Sequence, residues 1–370
     1  MANQHAHPLI AYEPFKFLFR LAYIGTVVVR LPFWIIAALV QPLKPCSDWT
    51  PKQTLMMPIV YAVLDVRSKV GVTQTLSLKG KKEGDRFQVI APSESDFYRG
   101  PLVSDVKPTT IGGTWFPQAP GGDLTSKHVI LYFHGGAFAI GDGRTGECGF
   151  LGKTLVERGG VDAVLSIQYR LAGYSGLNPF PAAIQDGLTS YLFVLNVLKI
   201  PAHHITIAGD SAGANLAIAL LRYIEEFGET LSIPIPRCLA VVSPWVAPLD
   251  YDISRHPSRS SDYLPTSFLR WGARSYVGHL SNAASHPYVT PLGNPFKTKV
   301  PIFVNTGSVE IFFEANKRWA NEMSDVEGNI IQLHIEKAAC HDTLYVADIV
   351  GFEESAGKVA EEIGVFIRKS

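Results

Sequence analysis

The sequence contains little cysteine and has no excess of charge of either sign. Its 370 residues include four cysteines, Cys46, Cys148, Cys238 and Cys340, which stand too far apart to form a CxxC zinc or redox motif. We therefore expect free thiols, which suit a reducing, intracellular compartment. The 33 lysines and arginines balance 33 aspartates and glutamates, so the formal net charge is zero. Nucleic acid is not an expected partner, because binding it requires a basic surface.

The sequence also lacks an uninterrupted apolar run long enough to cross a membrane. Residues 17–40 are strongly apolar, but Arg20 and Arg30 divide them, and Pro32 is expected to kink or end a helix there. The uncharged stretches are shorter than the roughly 20 residues that a membrane-spanning helix needs. We therefore favour attachment of residues 17–40 to a membrane surface. The alternatives are a cap helix packed on the protein, a true span and a cleaved signal peptide.

Alternating strand and helix patterns occupy residues 126–370. Short apolar runs bounded by polar or glycine residues are typical of buried parallel strands. They are His128–Phe133, Asp162–Tyr169, His204–Gly209, Leu239–Pro244, Pro301–Gly307 and Asn329–Glu336. Helical patterns lie between them, so we predict a mostly parallel sheet covered on both faces. The interval 245–299 interrupts this rhythm and is predicted to be an insertion, with a helix at Ser267–Gly278, over the carboxyl edge of the sheet.

A GxSxG motif, Gly209–Gly213, follows the third of these runs. Such a motif should arise by chance in roughly one sequence of this composition in five, so its setting matters. Here it stands between a predicted strand and a predicted helix, where the glycines permit a sharp turn that exposes the Ser211 hydroxyl beside Asp210. The turn also points the amino end of the helix at the reacting centre. Ser211 is therefore our candidate nucleophile.

A second glycine-rich element, HGGAF, follows the first predicted strand. A serine that attacks an ester creates an oxyanion, and each preorganised N–H donor stabilises the transition state by about 2.7–4 kcal/mol. Glycines after a strand let the backbone approach that oxygen, whereas this sequence does not fit the GxGxxG of a dinucleotide-binding loop. The expected donors are the amides of Gly136, Ala137 and Ala212. We expect His134 and Gly135 to support the loop rather than react.

A serine nucleophile needs a general base, and in this class of fold the histidine comes last in the chain. His341 lies in the loop after the last predicted strand, where it can reach Ser211. His334 lies inside that strand, where a structural role is expected. Three further histidines, His256, His279 and His286, fall in the insertion. His341 is therefore the candidate base.

The acid that orients the base is expected in the loop after Pro301–Gly307. Two glutamates lie there, Glu310 and Glu314. Glu310 is closer to the end of the strand, and we prefer it. The alternative, Glu314, would otherwise be a solvated glutamate in the first turn of a helix.

Together these motifs resemble the hormone-sensitive-lipase-like branch of the α/β-hydrolase superfamily. The matching segments occur in the family's order over residues 125–369: HGGAF, YRLA, FPAAIQD, GDSAGANLA, SPW, GSVE and CHDT. The usual HGGG is HGGA here, which keeps a backbone donor at Ala137. The usual aspartate is replaced by Glu310, and YRLA lacks the proline that often follows it. The hydrophobic N-terminus is also similar to membrane-attached members that deacetylate sterols or arylacetamides.

The resemblance implies an α/β-hydrolase fold, with a mostly parallel central sheet flanked by helices. It implies three regions: a hydrophobic segment at 1–45, cap and leading strands at 46–125, and the catalytic domain at 126–370. The N-terminal region and the insertion at 245–299 would form a helical cap. The expected activity is hydrolysis of a small hydrophobic carboxylic ester by Ser211, His341 and Glu310, without metal or cofactor. The alternatives are an acyltransferase or thioesterase with the same triad, and a non-catalytic ligand-binding member.

Overall fold

One eight-stranded sheet forms the centre of the protein in the computed structural model, which describes residues 8–71, 74–173 and 177–370. The strands are β1 (Phe87–Ile90), β2 (Ile111–Phe116), β3 (Val129–Phe133), β4 (Ala163–Gln168), β5 (Ile205–Asp210), β6 (Cys238–Val242), β7 (Ile302–Gly307) and β8 (Ile331–Glu336). Their order across the sheet is β1-β2-β4-β3-β5-β6-β7-β8. Strand β2 runs antiparallel to both of its neighbours, β1 and β4, and the other neighbouring pairs are parallel. The predicted, mostly parallel sheet is confirmed.

Helices cover the sheet and form its cap. They are α1 (Phe15–Leu39), α2 (Pro51–Val70), α3 (Thr145–Glu157), α4 (Ala182–Leu192), α5 (Ser211–Leu231), α6 (Thr266–Val277), α7 (Phe313–Ser324), α8 (Thr343–Val350) and α9 (Glu353–Lys369). Helices α3, α8 and α9 pack together, and α4 packs on α5. Every residue of β3 to β7 is buried, which explains why those strands read as mostly apolar runs rather than alternating ones.

Three helices outside the sheet, α1, α2 and α6, form the cap that the sequence predicted. Asp65 of α2 joins them, because its carboxylate accepts hydrogen bonds from the hydroxyls of Tyr23 in α1 at 2.7 Å and Ser267 in α6 at 2.5 Å. Lys69 pairs with the same carboxylate at 2.7 Å. The buried carboxylate of Asp65 therefore links the N-terminal region to the insertion.

The first helix differs from the prediction. The sequence predicts that Pro32 kinks or ends a helix, and the second of these is wrong, because α1 runs from Phe15 to Leu39. A proline in a helix removes one N–H donor, yet the helix continues beyond it, and the amide of Val40 still donates to Ile36 at 2.9 Å. The result is a helix of 25 residues, long and apolar enough to cross a membrane. Residues 1–7 of the predicted N-terminal segment lie outside the described residues.

Candidate active site

The GxSxG turn joins β5 directly to α5. Ser211 is the first residue of α5 and adopts φ 50°, in the left-handed region that residues with a side chain seldom occupy. A Cβ at Gly213 would lie 2.0 Å from the carbonyl oxygen of Phe133, so only glycine fits where the turn passes under β3. The sequence therefore forms the sharp turn that it predicts, and its strained residue is the serine.

The HGGAF loop leaves β3 and passes beside Ser211. A Cβ at Gly135 would lie 2.2 Å from Asp210 Oδ2 and 3.1 Å from Ser211 Cβ, so the two loops are in direct contact. Gly136 and Ala137 have φ of 101° and 54°, and neither amide donates a hydrogen bond anywhere in the described part of the chain. The amide of Ala212 lies in the first turn of α5, where amides have no partner within the helix. These three amides are available to an anionic oxygen.

His134 supports this loop from below. Its ring is fully buried and stacks on Tyr169 with ring centres 4.4 Å apart. The Tyr169 hydroxyl donates to the carbonyl oxygen of His134 at 2.7 Å. Helix α6 of the cap also packs against the loop, because a Cβ at Gly272 would lie 2.3 Å from the oxygen of Ala137. The loop thus contacts both an aromatic pair and the cap.

His341 and Glu310 form a buried pair at the carboxyl edge of the sheet. His341 Nδ1 lies 3.2 Å from Glu310 Oε2, and neither side chain is more than 2% exposed. The other oxygen of Glu310 accepts a hydrogen bond from Asn316 Nδ2 at 3.0 Å and another from the hydroxyl of Thr306. Both oxygens of the carboxylate are therefore occupied, and its orientation is fixed.

The structure places the other candidate acid elsewhere. Glu314 is exposed in the first turn of α7 and pairs with Lys317 at 3.6 Å. His334 lies within β8, where its Nδ1 is 3.0 Å from the side-chain nitrogen of Asn305. Only Glu310 therefore contacts His341 as the acid of a triad would.

Charge favours the protonated form of the base. Burial by itself would lower the pKa of His341, but the hydrogen bond and charge of Glu310 raise it, together with the charges of Asp262 and Asp210. The net effect is a pKa above the ordinary value of 6.5. Such a histidine takes up a proton readily, as a general base must.

Ser211 lies at the same edge of the sheet, since β5, β7 and β8 are parallel members of it and their carboxyl ends carry the three side chains. Within the ranges described, no hydrogen bond joins its hydroxyl to His341. Catalytic hydrogen bonds are often long before substrate binds and tighten in the reacting complex. A strained serine, a carboxylate-paired histidine and free amides thus lie along the same edge of the sheet, and acyl transfer requires groups of these kinds.

Comparison with known proteins identifies the family. A family model described as the alpha/beta hydrolase fold matches residues 130–345. The chain is an α/β hydrolase. An esterase of Acinetobacter venetianus is 30% identical over 62% of this chain and 73% of its own length. An acetyl-hydrolase of Streptomyces hygroscopicus is 32% identical over 50% of this chain, and the match spans only 58% of that relative.

Solved structures place this α/β hydrolase in the hormone-sensitive-lipase-like branch. A hormone-sensitive lipase from a metagenome library is 26% identical, with a TM-score of 0.57 over 70% of this chain and 82% of the other. An esterase of the bacterial hormone-sensitive lipase family, at 19% identity, shares the fold with a TM-score of 0.63 over 87% of this chain and 99% of its own. The predicted family is confirmed, and carboxylic ester hydrolysis is the enzyme class that these relatives support.

Two residues of the insertion in this α/β hydrolase lie beside His341 and Glu310, although no motif in the sequence identifies them. Asp262 is fully buried, and its carboxylate accepts a hydrogen bond from the amide of Ile311, next to Glu310, at 2.8 Å. Burial raises its pKa to about 6. The ring of Tyr263 stands edge-on to that of His341, with centres 5.8 Å apart. Both contacts span the chain from the insertion to the loops of the sheet, so no local motif marks them.

The α/β hydrolase was expected to need no metal. In the ranges that the structure describes, no three histidine, cysteine, aspartate or glutamate side chains are grouped so that they could hold a metal ion. The four cysteines are free thiols, as expected from their spacing.

Proposed function

We propose that this α/β hydrolase is a serine esterase in which Ser211, His341 and Glu310 form the catalytic triad. Ser211 attacks the acyl carbon of a carboxylic ester, while His341 removes its hydroxyl proton. Glu310 holds the ring of His341 in place and stabilises the imidazolium that forms. The observation that carries the proposal is the buried 3.2 Å contact between His341 Nδ1 and Glu310, at the sheet edge where Ser211 occupies a strained turn.

The remaining steps follow from the loop geometry. The amides of Gly136, Ala137 and Ala212 would receive the oxyanion of the tetrahedral intermediate. His341 returns its proton to the alcohol that leaves, which gives an acyl-enzyme on Ser211. It then removes a proton from water, and the attacking water releases the carboxylic acid and restores the serine.

We propose a hydrophobic ester as substrate, because a cavity of about 510 Å³ lies between the cap helices and the insertion. Its lining includes the apolar or aromatic side chains of Trp34, Tyr61 and Ile253. Asp262 also lines the cavity, and this residue contacts the loop that carries Glu310. The cavity is thus connected to the loop of Glu310 through Asp262, and its volume is in the range of small-molecule sites.

We also propose that α1 attaches the protein to a membrane surface. Leu21, Ile24 and Val28, spaced three and four residues apart, lie on one face of the helix and are 57–61% exposed. The opposite face carries Tyr23, which is bound to Asp65, and Arg30, whose guanidinium lies 5.2 Å from the ring of Trp34. The charge of Arg30 thus lies on the side toward the protein, and apolar side chains point outward, as in helices that lie in a membrane interface.

A series of p-nitrophenyl esters of increasing acyl length tests the esterase. The wild-type protein is expected to hydrolyse them, and Ser211→Ala and His341→Ala are expected to lose nearly all of that activity, because the triad acts as a unit. Ser308→Ala is a matched control in the loop before Glu310. Its hydroxyl accepts a hydrogen bond from the amide of Ala338 and contacts no triad residue. Hydrolysis that survives in Ser211→Ala would refute the proposal.

A further inference from the structure

Two buried carboxyl groups flank the triad in the chain. Asp210 directly precedes Ser211, and Asp342 directly follows His341. Asp210 is fully buried and Asp342 is 2% exposed. The triad mechanism gives neither of them a part, although a charged group is seldom buried without a partner.

The contacts of Asp210 leave one oxygen unexplained. Its Oδ1 accepts a hydrogen bond from the hydroxyl of Tyr132 in β3 at 2.8 Å. Its Oδ2 is buried and receives no bond from an N–H, a hydroxyl or any other ordinary donor of the described residues. The carboxyl group of Asp342 lies close enough to Asp210 to interact with it directly. Because carboxylates only accept, a bond between two carboxyl groups requires a proton on one of them.

Asp342, like Asp210, is anchored through one of its two oxygens. It adopts φ 49° at the start of α8, and its Oδ1 accepts a bond from the amide of Tyr345 at 3.3 Å. Its own amide donates to Ser243 Oγ at 2.9 Å. With one oxygen accepting from the helix, the other is free to carry a proton toward Asp210.

No cation among the described neighbours would balance a negative charge on both Asp210 and Asp342. The titratable groups that interact with the pair are Tyr132 of β3, Cys148 of α3, Tyr169 after β4, Tyr263 of the insertion, Glu310 after β7, Cys340 and His341 of the base loop, and Tyr345 of α8. Of these only His341 can become positive, and it is paired with Glu310. Burial and the adjacent charge of Asp210 raise the pKa of Asp342 well above its usual value.

We propose that Asp342 keeps a proton at neutral pH and donates it to Asp210, so that the pair ties the loop of the base to the turn of the nucleophile. Asp210 Oδ2 also lies against Gly135, and the pair therefore reaches the oxyanion loop as well. Asp210 and Asp342 are positioning residues in this scheme, since they act through Ser211 and His341. The inference rests on the proposed esterase for its effect on rate, but not for the location of the proton.

Two substitutions of Asp342 test whether its side chain acts as a proton donor or is a buried anion. Asp342→Asn keeps the donor, because its amide N–H can replace the carboxyl O–H while its oxygen still accepts from Tyr345. We expect its kcat for p-nitrophenyl acetate to stay within about twofold of wild type, whereas Asp342→Ala should lower kcat on the order of tenfold or more. Asp348→Asn, an exposed change on the same helix, is the control and should match wild type. Equal losses in the Asn and Ala variants, or no loss in either, would overturn the proposal.

The pH profile adds a readout that a purely structural role would not change. In the wild type, ionisation of Asp342 at alkaline pH would place two negative charges side by side, and kcat should fall there. Asp342→Asn cannot ionise, so we expect this fall to disappear in that variant and to persist in Asp348→Asn. An alkaline fall that persists unchanged in Asp342→Asn would count against the proposal.

Infrared difference spectra test the proton without any need for activity. The spectrum of the wild type minus that of Asp342→Asn, both at neutral pH, should show the carbonyl band of a protonated carboxylic acid. This band should shift in D2O. An absent band would overturn the proposal even if the protein hydrolyses esters. A present band would support the shared proton even if no ester were hydrolysed, which keeps this inference distinguishable from the proposed function.

Discussion

Glu310→Gln should disable the base by reversing which nitrogen of His341 carries the proton. The amide of the new side chain can face either way, but Asn316 and Thr306 both donate to Oε1, so the carbonyl oxygen must stay on their side. The amide nitrogen then faces His341 Nδ1, at the place of the carboxylate oxygen that now lies 3.2 Å away. A donor there requires an unprotonated Nδ1 and leaves the proton on Nε2, which can no longer accept one from Ser211.

The size of the effect follows from this reversal and from the lost charge. In other serine hydrolases, neutralising the triad carboxylate lowers kcat by about 10⁴-fold, and we expect the same order here. At 1.36 kcal/mol per tenfold, that is about 5.5 kcal/mol of transition-state stabilisation. The loss should be smaller than that of Ser211→Ala, because the carboxylate orients and stabilises but does not itself react.

Steady-state kinetics with p-nitrophenyl acetate can measure this change. We expect kcat to fall and KM to stay close to wild type, since buried Glu310 has no access to substrate. Glu314→Gln is the matched control and should leave kcat unchanged, because its side chain is exposed and bound only to Lys317. Thermal unfolding should show that the Glu310 variant is folded. If it keeps more than about a tenth of the activity, or if Glu314→Gln is the more damaging change, the acid assignment is wrong.

Three further predictions concern pH, the oxyanion loop and the membrane. The pKa of His341 is raised, and only its neutral form can accept a proton. As the pH is increased, kcat/KM should therefore rise with a midpoint above pH 6.5. A midpoint below pH 6.5 would contradict the effect of Glu310. Gly135→Ala should abolish activity, because its Cβ would lie 2.2 Å from a carboxylate oxygen. The control Gly146→Ala should keep wild-type activity, because its Cβ would have no atom within 4 Å. Equal activities of the two variants would contradict the packing of the loop. The double variant Ile24→Glu/Val28→Glu should release the protein from sedimenting lipid vesicles and leave hydrolysis of soluble esters intact; unchanged sedimentation, or a protease-protected fragment of about 20 residues, would contradict surface attachment.

The strands and the Ser211 turn were predictable because their signals are local. A strand buried on both faces must be a short apolar run, and five of the six predicted runs contain a strand whose every residue is buried. The sharp turn at Ser211 needs glycines on both sides, and they stand in the motif itself. These features depend on neighbouring residues alone, so the sequence displays them directly.

The cap was predicted only in outline. Helix α2 lies in a region with no clear pattern, although Thr50 and Gln53 form a capping box, Pro51 stands at its first position and Gly71 ends it at φ 65°. These signals at the two ends could have located the helix, but Pro58, which lies inside α2, argues against a helix there. In α1, Pro32 removes one hydrogen bond, and that loss does not end a helix of 25 residues.

Contacts between distant segments could not be predicted. Asp262 reaches the loop of Glu310 from the insertion, and Asp342 meets Asp210 only because the loops after β5 and β8 come together. Neither pairing leaves a spacing or periodicity in the sequence. The candidate triad was accessible because its members follow a fixed chain order, whereas the groups that set their charge and position are defined by the folded structure.

Labelling with a fluorophosphonate, followed by peptide mass spectrometry, tests the central claim most directly. The probe reacts only with an activated serine beside a working oxyanion site. The account predicts one adduct per chain, on the peptide that contains Ser211, with no adduct in Ser211→Ala and far slower labelling in His341→Ala. Labelling of another residue in the wild type, or an unchanged adduct in Ser211→Ala, would contradict it.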